Sequence, residues 1–329
     1  MERVPSQGEK MHTISDIAKI AGVSKTTVSR VLNDEKYVSD KLRQRVKKIA
    51  DELGYIPNGN AISLSTGKTY TLGVLLPAYD NCYDELLNSI LLNAKEKDYH
   101  VMVLPSYYEF ITEKTYYEMF RRKVIDGLIL ASINAPENII IDLQKYGKIV
   151  SAEKLDNRNI TMIYPDRTAA YKTLFGHLKT LGKKRTVFTL ERSPEVSKSS
   201  LNKIKSFQNH FTEPIENKDF FIGIKSFDDG YRLGKHLAKS QNVPEIIYTS
   251  GDQIAAGVIK AFNENKIKHG EDYQIIGEGN TPYSQTLNFS SIDFRLTEIG
   301  ELLVTHIISD VEQESKSFTP NILFRGHLE

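Results

Sequence analysis

Residues 13–57, TISDIAKIAGVSKTTVSRVLNDEKYVSDKLRQRVKKIADELGYIP, decide how this chain is read. Ile14, Ile17, Ala18 and Ala21 recur at i, i+3, i+4 and i+7, which puts them on one side of a helix. Thr13 is placed to cap that helix, and Asp16 suits its positive end. Gly22 permits a tight turn. A second helix starts near Ser24. It turns Val28, Val31 and Leu32 inward and leaves Lys25, Thr26, Ser29, Arg30 and Asn33 on an outward polar stripe. Ser39 caps a third helix with apolar positions Leu42, Val46, Ile49, Ala50 and Leu53, stopped by Gly54. Helix, glycine turn, helix is the helix-turn-helix arrangement, whose second helix fits a major groove. The pattern by itself suits a small helical bundle with a solvated polar face equally well.

The order of residues separates the two readings. GVSKTTVSRVLN, followed by YVSDKLRQRVKKIADELGYIPN, closely resembles the DNA-binding headpiece of the lactose-repressor/galactose-repressor family of bacterial transcription regulators. The resemblance implies base reading by Lys25, Thr26 and Arg30, with Arg30 suited to guanine. Ser24, Thr27, Ser29, Asn33 and Tyr37 would anchor phosphates, setting register without specifying sequence.

At 329 residues the chain exceeds one ordinary core, so a small domain plus a larger, two-lobed one is expected. The net charge of +1 makes the whole chain no polycation. Basic residues instead gather in the first segment, with Lys25, Arg30, Lys36, Lys41, Arg43, Arg45, Lys47 and Lys48 close together, moderated by Asp34, Glu35, Asp51 and Glu52. A lone cysteine, Cys82, precludes an internal disulfide and fits a reducing cytosol. No apolar run is long enough to span a membrane, and residues 1–12 read as a flexible leader without the apolar core of a signal peptide. A cytoplasmic protein is expected.

Residues 58–70 have the composition of a linker. In the resembling family this is a hinge helix that orders on DNA, two copies meeting in the minor groove, where a leucine wedges between base pairs. Leu64 occupies that position, while Ile62 stands where family members often carry a basic residue. Gly67-Lys68-Thr69 looks like the end of a phosphate-binding loop, but Ile62 sits where that motif needs its first glycine.

From Thr71 on, short apolar strands alternate with amphipathic helices. The strands read at 72–76, 101–104, 127–131, 149–152, 186–190, 220–224, 245–249 and 274–276; helices begin near Cys82, Thr112, Pro136, Thr168, Val196, Asp228, Asp252 and Thr297. Alternation of this kind implies parallel sheets covered by helices on both faces. LGVLLPAYDN, DGLILAS, HLKTLGKKR and the run from SGDQIAAGVIKAF to IIGEGN extend the resemblance into the family's effector-binding core, of type I periplasmic-binding-protein fold. The expected organisation is an all-α headpiece at 13–57 and an α/β two-lobed core. Its N-terminal lobe is 71–165 plus 296–321, its C-terminal lobe is 166–295, and 322–329 is a C-terminal end.

Ligands of open α/β sheets bind beyond the carboxyl ends of strands. Resemblance and strand position together nominate Asp80, Tyr83, Ser132 and Asp166, with Lys203, Phe221 and Asn280 from the second lobe. A carboxylate, a cation, an amide and aromatic faces suit sugar hydroxyls or a small anion. Three positions depart from the family: Lys203 for its usual Arg, Gly251 for Asn, and Gly279 for a ligand-binding Asp. A phosphorylated or acidic ligand would suit Lys203 with that opposing carboxylate removed.

Catalytic and cofactor readings find no support. The histidines are scattered without a metal-binding motif, Gly277-Glu278-Gly279 is only a fragment of a dinucleotide fingerprint, and Asp228-Asp229-Gly230 lacks the remaining oxygens of a calcium loop. No cofactor is expected. The tail has no leucine heptads, so a homodimer is expected. The reading is a sequence-specific repressor, binding double-stranded DNA at a palindromic operator under control of a small effector, with a protein co-effector left open. The alternative is a cytosolic small-molecule or protein-partner sensor with weak DNA binding. Arg30→Ala should cost about 1–3 kcal/mol and relax the preference at one base pair; selection from randomised half-sites checks this, and an unchanged preference removes Arg30 from the readout set.

Overall fold

A computed structural model describes residues 12–328 apart from 33, 35–36, 58–62, 64–65, 80–81, 157–158, 183–184, 241–242 and 310–313. The chain divides into two compact units, residues 1–69 and 70–329.

The first unit carries three helices, α1 (Ile14–Ala21), α2 (Lys25–Leu32) and α3 (Asp40–Glu52). Asp16 reaches back to the start of α1, its Oδ2 accepting from the Thr13 N–H at 2.9 Å and the Thr13 hydroxyl at 2.8 Å. Gly22 ends the helix in the left-handed region at φ +65°, as a glycine there can without steric cost. Ile17, Ala18, Ala21, Val28, Val31, Val46 and Ala50 close into one small core shared by all three helices. The inward set read from the spacing is this core and its border, to which Leu32, Leu42, Ile49 and Leu53 contribute half-buried side chains.

In the second unit, two sheets repeat one plan. The first contains β1 (Thr71–Leu76), β2 (His100–Pro105), β3 (Gly127–Leu130), β4 (Lys148–Ser151), β5 (Thr161–Pro165) and β11 (Lys316–Phe318), in the order β11-β5-β4-β3-β1-β2, all parallel. The second holds β6 (Thr186–Leu190), β7 (Phe220–Ile222), β8 (Ile246–Tyr248), β9 (Gln274–Glu278), β10 (Ser290–Asp293) and β12 (Asn321–Leu323), in the order β12-β10-β9-β8-β6-β7. Only β12 runs antiparallel within it, against β10. Helices α4 (Asp84–Lys95), α5 (Phe110–Arg121) and α6 (Glu137–Leu143) connect the first sheet; α7 (Arg167–Thr180), α8 (Lys198–Gln208), α9 (Phe227–Ala238), α10 (Asp252–Glu264) and the short α11 (Pro282–Thr286) serve the second. The central strands are apolar and buried almost throughout, as strands covered on both faces must be.

The chain passes from one sheet to the other at residues 165–167, returns at 293–296 into α12 (Leu296–Ile308), and crosses again between β11 and β12. Gly300 of α12 lies so close to α4 that an added Cβ would sit 2.6 Å from the Ser89 Cβ, and the Ser89 hydroxyl donates to the Thr297 carbonyl at 2.6 Å. The tail departs from expectation. Residues 321–323 form an edge strand of the second sheet, where the sequence suggested the limit of the first lobe and a plain terminus. Among the described residues, no helix is long and apolar enough to cross a membrane.

α9 and α10 pack nearly backbone to backbone. A Cβ on Gly257 would lie 2.1 Å from the Phe227 carbonyl oxygen, and one on Gly230 2.2 Å from that of Ile254. Alanine for glycine inside a helix ordinarily gains roughly 1 kcal/mol. Here Gly257→Ala should instead lose about 1–3 kcal/mol because the helices must separate. Urea denaturation measures the sign, and a gain would show that α9 and α10 have room to spare.

Candidate functional site

Two sites emerge, one in each unit. On the helical unit, Lys25, Thr26 and Arg30 of α2 are exposed along one side, while Val28 and Val31 are buried on the other. Ser24 caps α2: its hydroxyl oxygen accepts from the Thr27 N–H at 3.1 Å and pairs with the Thr27 hydroxyl at 2.9 Å. Ser29 is half-buried and Tyr37 is 93% exposed. Asn33 and Leu64 lie outside the described residues. Asp34 accepts from both Arg43 and Lys47 at 2.8 Å. The Lys47 hydrogen bond and charge, with help from Arg43, hold the Asp34 carboxyl below its ordinary range. Part of the basic cluster on α3 is thus already neutralised.

In the second unit, a cavity of about 700 Å³ lies beyond the carboxyl ends of both sheets. That size suits a small organic ligand. The first sheet contributes Tyr83 after β1, Tyr108 after β2, Ser132 after β3 and Glu153 after β4. From the second come Arg192 after β6, Gly251 after β8 and Asn280 after β9, with Arg167, Tyr171 and Lys203 from α7 and α8.

Of the residues nominated from sequence, Tyr83, Ser132, Lys203 and Asn280 therefore share one cavity. Asp166 and Phe221 are not among its lining residues. Asp166 caps α7, accepting from the Ala169 N–H at 3.0 Å. Phe221 faces the other side of its sheet, in a core with Val187, Leu233 and Leu237. The period-2 alternation of β7 explains this, because Phe220 takes the opposite face beside Phe188. Asp80 lies outside the described residues.

Lys203 is placed differently from the expectation of a cation awaiting an acidic ligand. Its ammonium donates to Glu278 Oε1 at 2.8 Å and to the Ser250 hydroxyl at 3.1 Å, over the rings of Tyr248 at 4.3 Å and Tyr171 at 5.1 Å. Both side chains are deeply buried, 3% and 8% exposed. Tyr248 donates to the same Glu278 oxygen at 2.5 Å, and Arg167 approaches Oε2 at 3.6 Å. Burial pushes the Glu278 carboxyl up, but Lys203 and Arg167 outweigh it and hold the group below the ordinary range. The carboxylate missing at Gly279 is supplied one residue earlier. Ile276 and Glu278 fall on one face of β9, and Ile276 shares a core with Tyr171 and Tyr248, so alternation could have found this partner.

Glu153 is a second acid that sequence reading passed over. Withdrawal from water pushes its carboxyl up, against the pull of the Ser132 hydroxyl, Arg167, the Ile133 N–H and Arg192. Arg192 stacks on the ring of Tyr108 at 3.9 Å, joining the two rims of the cavity. Lys198 of α8 also reaches residues that follow the first sheet's strands, 3.1 Å from Asp156 and 3.5 Å from Glu137, though none of the three lines the cavity. Among the described residues no cluster of His, Cys, Asp or Glu could hold a metal ion.

Glu278→Gln would strand Lys203 in a buried site without its counter-charge, at a cost of about 3–5 kcal/mol. The double variant Glu278→Gln/Lys203→Met should recover most of that loss, since both charges leave together. Chemical denaturation of the single and double variants checks this; equal losses would show that the pair is not coupled.

The comparisons with known proteins divide along the same lines. Residues 13–58 match the family model for bacterial regulatory proteins, lacI family, and residues 69–313 match that for periplasmic binding proteins and sugar binding domain of LacI family. Catabolite control protein B of Bacillus subtilis is 36% identical over 307 residues, covering 93% of this chain and 97% of that protein. Among solved structures, the lac repressor dimer bound to operator and the anti-inducer ONPF superposes with a TM-score of 0.79 at 22% identity, covering 97% of this chain and 99% of that one. A lacI-family regulator from Lactobacillus casei with bound sucrose gives 0.71 at 17% identity, covering 78% and 98%. Helical unit, two-sheet core and matched sequence agree: this chain belongs to the lacI family of bacterial regulatory proteins, whose members are DNA-binding transcription regulators.

Proposed function

We propose that this protein is a cytoplasmic transcription repressor acting as a homodimer on a palindromic operator, with its DNA affinity set by a sugar-like metabolite in the cleft. The observation that carries the reading is α2. Its buried valines fix it within a three-helix core while Lys25, Thr26 and Arg30 stand exposed on one side. Two such helices presented by a dimer would enter successive major grooves. Lys25, Thr26 and Arg30 are assigned to base edges; Ser24, Thr27, Ser29, Asn33 and Tyr37 to phosphates; Leu64 to the minor groove.

The cleft supports a polyhydroxylated ligand. Tyr83 and Tyr108 line it beside Ser132, Glu153, Arg167 and Asn280, the mixture of aromatic and hydrogen-bonding groups that sugars need. Because Glu278 already neutralises Lys203, a phosphate is no longer the ligand of choice for that ammonium. The solved relative with bound sucrose shares this fold, which favours the same ligand class here. An effector acts by binding the open and closed arrangements of the lobes unequally.

The test is selection of bound fragments from genomic DNA of the source organism by purified full-length protein at physiological salt, with and without a panel of sugars. A shared palindrome whose recovery changes with one of the sugars is the expected outcome. If no sequence is enriched in either condition, the operator-binding reading fails and a sensor with weak DNA binding replaces it.

A further inference from the structure

The loop that delivers Asn280 to the cleft is held by the end of the chain. Gly279 and Asn280 both adopt positive φ, +112° and +47°. The Asn280 N–H donates to the Ser291 hydroxyl at 2.9 Å, and that hydroxyl donates to Asp252 at 2.7 Å. Thr281 donates its N–H to the other oxygen of Asp252, also at 2.7 Å. The backbone of this turn is thereby fixed from below.

Its side chain is fixed from the tail. β12 leads directly into Arg325, whose N–H donates to the buried Ser290 hydroxyl at 2.9 Å. The Arg325 guanidinium then forks: Nη1 donates to the Phe289 carbonyl at 2.8 Å and Nη2 to Asn280 Oδ1 at 2.8 Å. A guanidinium has donors only, so the amide atom it meets must be the oxygen. This settles the usual ambiguity between the two ends of an asparagine amide.

We propose that Arg325 is a positioning residue for ligand specificity: by taking the amide oxygen of Asn280, it leaves the NH₂ group as the polar end offered to the cleft. The ligand group opposite Asn280 must then accept hydrogen bonds, as a hydroxyl, ether or carbonyl oxygen does. A protonated amine there finds a donor facing a donor. The inference rests on the cleft being the ligand site; Arg325 itself is not among the cavity's lining residues.

Two measurements test it. Neutron diffraction from crystals of the deuterium-exchanged full chain locates the amide directly, without any ligand. Nuclear density for ND₂ on the cleft side is expected, and the oxygen on that side would overturn the assignment. Calorimetric titration with D-glucose and D-glucosamine then reads the consequence. The parent should favour glucose, and Asn280→Asp, which keeps an acceptor for Arg325 but turns an oxygen to the cleft, should shift the ratio toward the amine by about tenfold or more. Arg325→Ala should narrow the preference by letting the amide turn, while Arg325→Lys, whose ammonium can still donate to that oxygen without the fork, should restore part of it. An unchanged ratio in Asn280→Asp and Arg325→Ala refutes the proposal. Operator binding measured alongside keeps the two readings apart: a shifted ratio without any sugar effect on DNA counts against regulation by the sugar and supports the assignment to Arg325, whereas a sugar effect on DNA with a flat ratio does the reverse.

Discussion

The rest of the core depends on where its two parallel sheets end. A parallel strand finishes with carbonyl groups and the following loop at one edge, so helices can cover both faces but never that edge. Here the two carboxyl edges share one cavity, and each supplies side chains that neither sheet could bring together alone. Apolar strands buried on both faces provide the rigidity, so the polar groups in the loops hold their places without forming a core of their own. Lys203 and Glu278 show the cost of this arrangement. The Lys203 ammonium lies over aromatic rings rather than in water, and its pairing with Glu278, backed by Ser250, Tyr248 and Arg167, makes that tolerable.

Much of this was legible from sequence where periodicity coincides with burial. The three N-terminal helices show their inward faces plainly, and the apolar strands of both sheets stand out against the helices between them. β5 and β10 did not. β10 is Ser-Ser-Ile-Asp, which reads as a loop, yet both serines are buried because Ser290 meets Arg325 and Ser291 meets Asp252 and Asn280. A buried hydroxyl with partners is stable, but its partners are distant in sequence, so no local pattern reveals it. The cleft divides in the same way. Tyr83, Ser132 and Asn280 follow from strand ends and Lys203 from the family resemblance, whereas Glu278 and Arg325 matter through pairings across 75 and 45 residues. Asp166 and Phe221 lie outside the cavity's lining for local reasons, a helix cap and a strand face.

The helical unit balances charge differently. Its cations are mostly exposed, yet Asp34 binds two of them, Arg43 and Lys47. Exposed ion pairs of this kind contribute little to stability. Their effect is on the surface field: a phosphate approaching α3 must compete with a carboxylate already in place.

The crossings between the sheets have a mechanical meaning. A single linker would let one lobe swivel, twist and slide relative to the other. Three chain segments, at residues 165–167, 293–296 and 318–321, leave far less freedom, because any motion must be accommodated by all of them at once. What remains is close to rotation about one axis running through that strip, like a door on three hinges. Arg192 follows β6 and stacks on Tyr108, which follows the edge strand β2, so this contact lies across the sheets from the strip and acts on that rotation with a long lever arm.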